Sequence, residues 1–362
     1  MTKEIELGVF IPVGNGGWII STTSPQLPAS YEYNRQVTVL AEELGFDFAL
    51  SMAKWRGFGG PSKHWDVTLE SFTTMTGLAE ATSRIKLWCT IHTMVWHPAV
   101  VAKMIATFDQ VSGGRAGINL VAGSNPSDQG QMGLWRDLDH AGRYGLAEEW
   151  ITVAKRLWTE ERVTHHGQFF DLEDCMSNPK PAALPPILCA ATSDRGFRFT
   201  IENCDVCFMG ATGADEMISV ARRAREVSAE VGKPTKTFGL FSIIPGETDA
   251  DAQRRVDLYN EGVDMTALAN RSREYGQDVP QNTTAKRMID GGKTGLAVTK
   301  AALIGSPATI AERLAHVVHE GDIDGAVVIV PDFIDDLEIV GREVTRELAE
   351  RDVATAASMS GV

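Results

Sequence analysis

Short runs of apolar and β-branched residues recur along the chain, and segments with helical periodicity separate them. The runs are continuous rather than alternating, which is typical of strands buried on both faces of a parallel sheet. Strands are predicted at about 6–13, 46–52, 85–92, 116–122, 187–192, 205–210, 237–245 and 325–331. The pattern therefore predicts eight strands.

The segments between the strands carry apolar residues at three- and four-residue spacing. Leu69, Phe72 and Met75 begin one such apolar stripe, which predicts a helix over about 67–82. Ser306 followed by Pro307 is typical of an N-cap and a first helical position. Further helices are predicted near 31–44, 98–112, 138–159, 213–231, 248–270 and 306–320.

Eight strands, each followed by a helix, favour the α/β class and a (β/α)8 TIM barrel over a doubly wound open sheet. A bare barrel needs about 250 residues, whereas this chain has 362. We expect a single TIM-barrel domain over 1–362 with insertions near 123–137, 160–186 and 270–305, and a frayed end after about 353. Long loops of this kind usually bind ligands or act as lids.

Composition excludes several partners. The net charge of −14 argues against nucleic acid and anionic membrane surfaces, because both need a basic face. No apolar run approaches the ~20 residues of a membrane span, and the N-terminus has no secretory signal. Five scattered cysteines fit a reducing compartment better than a disulfide framework, which predicts a cytoplasmic protein.

Several short motifs are better explained by structure than by chemistry. The glycines of 14–17 do not open a helix, so a plain loop is predicted rather than a dinucleotide site. Cys204 and Cys207 have redox spacing but straddle a strand start, and we interpret them as core thiols. The eight histidines form no complete metal-ligand set, and no Gly-x-Ser-x-Gly elbow is present.

Polar residues cluster where the predicted strands end, which is where TIM barrels place their chemistry. The second strand leads into 53–57, the third ends in 90–92, and Asn119 interrupts the fourth. A buried amide without partners costs about 1–3 kcal/mol, so Asn119 needs a partner in the fold or in a ligand. The helix start at 192–196 could bind an anion, and 143–144 supplies a cation and a ring. Together these residues predict a phosphate-bearing planar cofactor.

Several stretches carry a family resemblance. "LGVFIPVGNGGWIIST", "FDFALSMAKWRGFGG", "LESFTTMTGLAEATSRI", "SGGRAGINLVAG", "QMGLW", "RYGLAEEW" and "SDRG" resemble the pyrimidine (uracil) monooxygenase branch of the bacterial-luciferase-like flavin monooxygenases. The resemblance runs from about residue 5 to 345, and its first two stretches are typical of that branch in particular.

The resemblance implies a two-component monooxygenase on a TIM barrel. Reduced FMN would come from a separate NAD(P)H:flavin reductase and would react with O2. A flavin peroxide, in this branch at N5, would then open or oxygenate a small nitrogen heterocycle such as uracil or thymine. The resemblance also implies a homo-oligomer.

Site residues follow from the resemblance position by position. The FMN contacts would be Ala53, Lys54, Asn119, Asp128, Arg143, Tyr144 and Ser193. The oxygen-activating pocket would be Leu50, Thr90 and Asn119, and the substrate pocket would include Trp55 and Ser124. Asp128 stands where the family has a glutamate. Ser124 stands where the family has a tryptophan, and loss of a ring of about 150–250 Å² reshapes a pocket.

Three alternatives stay open from the sequence. The same flavin chemistry could act on a pyridine-like heteroaromatic or a halogenated aromatic compound, which the change at Ser124 motivates. A deazaflavin-dependent hydride transfer would use the same barrel without O2. A noncatalytic flavin-binding protein would show no substrate-dependent oxygen consumption.

Overall fold

The computed structural model describes residues 2–123, 126–190, 193–276, 295–299 and 301–360. The strands, in chain order, are β1 (Lys3–Glu4), β2 (Glu6–Phe10), β3 (Phe48–Leu50), β4 (Lys86–His92), β5 (Ala116–Val121), β6 (Val163–His166), β7 (Asp171–Cys175), β8 (Ile187–Ala190), β9 (Val206–Met209), β10 (Lys236–Pro245), β11 (Leu303–Gly305), β12 (Gly325–Ile329) and β13 (Val353–Ala354).

Eight of these strands form a closed parallel barrel in the order β2-β3-β4-β5-β8-β9-β10-β12. The barrel closes because β12 pairs in parallel with β2, and because β9 pairs with β10. The predicted (β/α)8 barrel is therefore confirmed, and the doubly wound open sheet is wrong. The eight strand positions predicted from the sequence all correspond to barrel strands.

Helices surround the barrel. They are α1 (Tyr31–Glu43), α2 (Ser71–Ala81), α3 (Pro98–Ser112), α4 (Pro126–Gly130), α5 (His140–Thr159), α6 (Asp194–Asn203), α7 (Ala214–Val231), α8 (Asp249–Glu261), α9 (Met265–Gly276), α10 (Pro307–Gly321), α11 (Asp335–Ile339), α12 (Thr345–Ala349) and α13 (Ala356–Ser360). A π-helical turn at Val340–Val344 joins α11 to α12.

The single helix predicted near 248–270 is wrong, because the chain breaks there into α8 and α9. Val263 leaves the helix to form an isolated bridge with Ser21. Asp264 then starts α9 by accepting a hydrogen bond from the backbone N–H of Ala267 at 3.0 Å. The break reorients α9 toward the loop that follows β3.

The expected frayed end after about 353 is also wrong. β13 pairs in parallel with β1, with Lys3 opposite Val353. The helix α13 then packs on Gly45, where an added Cβ would lie 2.8 Å from the Cα of Ala357. The segment after 353 is thus tied to the N-terminal end of the chain.

The three regions expected to be insertions carry secondary structure of their own. Helix α4 lies within 123–137, and the antiparallel hairpin β6–β7 lies within 160–186. The described part of 270–305 contributes the end of α9 and the short strand β11, which pairs with β10. These elements extend the barrel at its loops rather than interrupting its strands.

Large side chains fill the interior of the barrel. The ring of Phe48 stacks on Trp88 at 4.8 Å and on Phe238 at 5.3 Å between centroids. Gly8 makes room for them, since an added Cβ would lie 2.2 Å from the Phe48 ring. The buried polar side chains of Ser51, Thr90 and Asn119 lie beyond this layer, toward the carboxyl ends of the strands. No helix in the described ranges is long and apolar enough to cross a membrane.

Candidate active site

Thr90 and Asn119 are register partners on β4 and β5, near the carboxyl ends of these strands. The Asn119 Nδ2 donates to Thr90 Oγ1 at 2.9 Å, and the Thr90 hydroxyl donates to the backbone carbonyl of Ser51. Both side chains are buried, yet Asn119 Oδ1 has no hydrogen-bond partner among the described residues. The fold therefore satisfies one end of this amide and leaves the other for a ligand.

Leu50 lies beside this pair at the end of β3 and is fully buried. The turn after it is fixed by Ser71, whose Oγ lies 2.6 Å from Ser51 Oγ and accepts from the backbone N–H of Thr90 at 2.8 Å. The three residues predicted to form the oxygen pocket, Leu50, Thr90 and Asn119, thus lie on three adjacent strands.

Lys54 forms the centre of a buried charged cluster in the loop after β3. Its Nζ lies 2.6 Å from Glu274 Oε1 and 3.4 Å from Asp128 Oδ1, and its side chain is only 2% exposed. Asp128 Oδ1 also accepts from the backbone N–H of Trp55 at 3.1 Å, while Asp128 Oδ2 is buried and has no partner in the part of the chain that the structure describes. One cation thus serves two carboxylates.

The carboxylate of Glu274 reaches this cluster because α9 is anchored on the loop after β3. Asn270 Nδ2 donates to the backbone carbonyl of Phe58 at 2.8 Å. Asp264 Oδ2 accepts from the backbone N–H of Ser62 at 2.8 Å and from its hydroxyl at 2.6 Å. Burial raises the pKa of Glu274, and the Lys54 ammonium offsets this in part. The sequence indicated a binding segment from residue 270, but not this residue.

His92 and Gln129 form a second buried chain of hydrogen bonds next to the cluster. His92 Nε2 lies 3.3 Å from the Ala53 carbonyl, and Gln129 Nε2 lies 3.0 Å from His92 Nδ1. Burial lowers the pKa of His92, which favours the neutral ring. The half-buried ring of Trp55 meets His92 edge-on at 5.7 Å. Gln129 was not singled out from the sequence, because a glutamine in a short loop helix carries no motif.

The helix starts of α5 and α6 bring Tyr144 and Ser193 together. Ser193 caps α6 by accepting from the backbone N–H of Gly196 at 3.1 Å. Its side chain is also close enough to the Tyr144 hydroxyl to lower the pKa of that group, against the effect of burial. The guanidinium of Arg195 lies 5.7 Å from the Tyr144 ring, and burial raises the pKa of that hydroxyl. Backbone N–H groups, a neutral hydroxyl and a guanidinium suit an anion such as a phosphate.

Arg143 connects this helix start to the end of β5. Its Nη1 donates to the Leu138 carbonyl at 2.8 Å, and its guanidinium lies 5.6 Å from the Trp135 ring. Gly123, with φ of +105°, lies against it, since an added Cβ would be 3.6 Å from Arg143 Cδ. Ser124, predicted for the substrate pocket, lies outside the described residues.

The cysteine pair and the glycine-rich stretch, for which the sequence predicted structural roles, lie in the core and in a turn. Cys204 and Cys207 are buried thiols. Gly16 and Gly17 adopt positive φ in a turn whose Asn15 side chain donates to the Lys63 carbonyl at 2.8 Å. Among the described residues, no three His, Cys, Asp or Glu side chains group as a metal site.

Comparison with known proteins identifies the family of the chain. The family model for luciferase-like monooxygenases matches residues 5–324. The chain belongs to this family. It is accordingly a flavin-dependent monooxygenase, as the sequence resemblance implied. Flavin and O2 are the cofactor and co-substrate of this class.

Relatives agree with this assignment, and solved structures share the fold. Pyrimidine monooxygenase RutA of Methylorubrum populi is 38% identical over 99% of this chain and 96% of its own. Pyrimidine monooxygenase RutA of Acinetobacter baylyi is 34% identical over 96% of this chain and 95% of its own. Riboflavin lyase RcaE with a modified FMN and riboflavin superposes with a TM-score of 0.85 at 18% identity, over 98% of this chain and 93% of that one. Long-chain alkane monooxygenase LadA superposes with a TM-score of 0.83 at 19% identity, over 100% of this chain and 96% of that one.

Proposed function

We propose that the chain is a two-component monooxygenase that uses reduced FMN and O2 to open or oxygenate a pyrimidine such as uracil or thymine. It works in the cytoplasm, as a single-domain homo-oligomer, with a separate NAD(P)H:flavin reductase. The observation that carries the proposal is the Asn119 amide, which Thr90 holds at the mouth of the barrel with Oδ1 unpartnered. The 38% identity to a pyrimidine monooxygenase supports the substrate class.

The residues present fit FMN. Ser193 at the start of α6, with Tyr144 and Arg143 nearby, would hold the phosphate. Ala53, Lys54, Asp128 and Asn119 would contact the ribityl chain and the ring. Asp128 Oδ2 supports this assignment, because it is a buried acceptor with no donor among the described residues. The hydroxyls and ring N–H groups of a reduced flavin would supply that donor. When bound, the reduced flavin supplies the electrons that activate O2, in our proposal at its N5 position.

The protein's own residues would position the reactants and stabilise the negative charge that develops during the reaction. Asn119 Nδ2 carries two hydrogens, and only one is needed for the bond to Thr90. The second hydrogen would donate to negative charge that develops on oxygen during the reaction. Leu50 supplies an apolar wall that excludes water, which strengthens such a hydrogen bond.

A second candidate keeps this chemistry and changes the substrate. Ser124 stands where the family has a tryptophan, so the pocket could admit a pyridine-like or halogenated aromatic ring instead of uracil. Oxygen consumption with each class of ring, under identical supply of reduced FMN, decides between the two.

The test of the proposed function is uracil-dependent oxygen uptake in the presence of FMN and a flavin reductase. Thr90→Val keeps the shape of the side chain and removes the hydroxyl that orients Asn119. We expect uptake to fall about 10²-fold, as for loss of one stabilising donor, with little change in FMN affinity. Thr73→Val, at an exposed position of α2, is the matched control. Absence of uptake in the wild type, or full activity of Thr90→Val, would contradict the proposal.

A further inference from the structure

Two hydrogen-bond chains begin at backbone carbonyls in the turn after β3. A carbonyl can only accept, so each chain has a fixed direction. At Ser51 the carbonyl accepts from the Thr90 hydroxyl, which in turn accepts from Asn119 Nδ2. The amide of Asn119 is thereby oriented with its oxygen away from Thr90.

The second chain is oriented in the same way. The Ala53 carbonyl requires that His92 Nε2 carries the hydrogen, so Nδ1 of the neutral ring must be the acceptor. Gln129 therefore turns its amide nitrogen to His92 at 3.0 Å. Its Oε1 is left buried, with no hydrogen-bond partner within the described ranges, on a side chain that is 0% exposed.

The two hydrogen-bond chains and Asp128 each end in an atom that can accept a hydrogen bond. Asn119 Oδ1, Asp128 Oδ2 and Gln129 Oε1 are all buried acceptors, and none of them has a partner among the residues that the structure describes. Leaving a buried acceptor unsatisfied costs about 1–3 kcal/mol, so each of these atoms favours a ligand that brings a donor. Gln129 is the member of this set that neither the sequence nor the family resemblance singled out.

We propose that Gln129 is a ligand-binding residue whose Oε1 accepts a hydrogen bond from an N–H or O–H group of the bound ligand. His92 is its positioning residue, because it holds the amide in the accepting orientation. The inference rests on the proposed function, in which the donor is either a ring N–H of the pyrimidine or a hydroxyl of the flavin side chain. If the donor is the ring N–H, this acceptor selects against pyridine-like rings, because a pyridine nitrogen offers only a lone pair.

The first test needs no variant. The ¹⁵N shifts of His92 in the wild-type protein report which ring nitrogen carries the hydrogen. We expect the Nε2–H form, with and without oxidised FMN. The Nδ1–H form would reverse the direction of the chain and overturn the proposal.

The second test compares Gln129→Leu with Gln131→Leu, the same change at an exposed position just beyond α4. Binding is measured without turnover, by fluorescence titration of oxidised FMN and by calorimetric titration of uracil into the FMN-loaded protein. We expect Gln129→Leu to weaken one of these affinities about tenfold. A loss for uracil alone assigns the ring N–H, whereas a loss for FMN assigns the flavin hydroxyl. Unchanged affinities in a folded variant would overturn the proposal.

A third ligand sharpens the result. 1,3-Dimethyluracil keeps the ring and both carbonyls but has no N–H group. If the donor is a ring N–H, its affinity for the wild type is low and does not change in Gln129→Leu. These binding measurements are independent of uracil-dependent oxygen uptake, so failure of the inference and failure of the proposed function are distinguishable.

Discussion

Replacing Lys54 by methionine should be among the most costly single changes in the site. Methionine nearly preserves the length of the side chain but removes the ammonium group that lies between Glu274 and Asp128. Both carboxylates are essentially buried, at 7% and 0% exposure of their side chains. The variant therefore leaves two buried acids without their common cation.

The size of the effect follows from the two distances. At an effective dielectric constant of about 20, ion pairs at 2.6 Å and 3.4 Å are worth about 6 and about 5 kcal/mol of attraction. Much of this offsets desolvation of the charges, and removing one partner of a buried pair typically costs about 3–5 kcal/mol. We expect that range for Lys54→Met at pH 8. The cost should be smaller at pH 5, because Glu274 can then take up a proton.

Urea denaturation followed by tryptophan fluorescence measures the change in the free energy of unfolding. Lys63→Met, an exposed lysine in the same loop, is the control and should cost less than about 0.5 kcal/mol. The double variant Lys54→Met/Glu274→Gln should recover about 2 kcal/mol, because only one buried charge remains. A cost below about 1 kcal/mol for Lys54→Met at pH 8, with no recovery in the double variant, would refute this account of the cluster.

Three further predictions concern the titration of Glu274, the interior of the barrel and the helix start at Ser193. Burial raises the pKa of Glu274 above its ordinary value of 4.5, so the folded state holds this proton more tightly and stability falls as pH rises through that region. Glu274→Gln should lack this decrease when denaturation curves are compared between pH 4 and 8, and a parallel pH profile would contradict it. Gly8→Ala places a methyl group 2.2 Å from the Phe48 ring and should lower the free energy of unfolding by about 1–3 kcal/mol or more. In Gly59→Ala the added methyl group has no atom within 4 Å, so this variant tests the backbone effect alone. Ser193→Ala should weaken FMN binding and cost about 1 kcal/mol in stability through loss of the α6 cap; unchanged FMN affinity would argue against a phosphate at this helix start.

The barrel and half of the site could be predicted because they follow from local pattern. Continuous apolar runs identified the strands, and residues at strand ends, such as Thr90, His92 and Asn119, must meet at one rim of a parallel barrel. The pairing of Thr90 with Asn119 is a direct result of strand register. These positions need no knowledge of the loops.

The remainder depends on contacts that the local pattern does not contain. Glu274 reaches Lys54 across 220 positions of sequence, and only the helix break at Asp264 points α9 in that direction. Gln129 acquires its orientation from His92, and His92 acquires its own from a backbone carbonyl. A backbone atom has no signature in the sequence, so this chain of dependence becomes visible only in three dimensions.

The turn after β3 has a consequence for how such enzymes can diverge. Ala53 acts through its carbonyl, so a substitution of its side chain leaves that acceptor in place, whereas Ser51 also contacts Ser71 through its hydroxyl. The insertion or deletion of one residue between positions 50 and 54, in contrast, would displace both carbonyls and Lys54 together. The length of this turn is therefore expected to stay constant, and new substrate preferences would arise in the neighbouring loops instead.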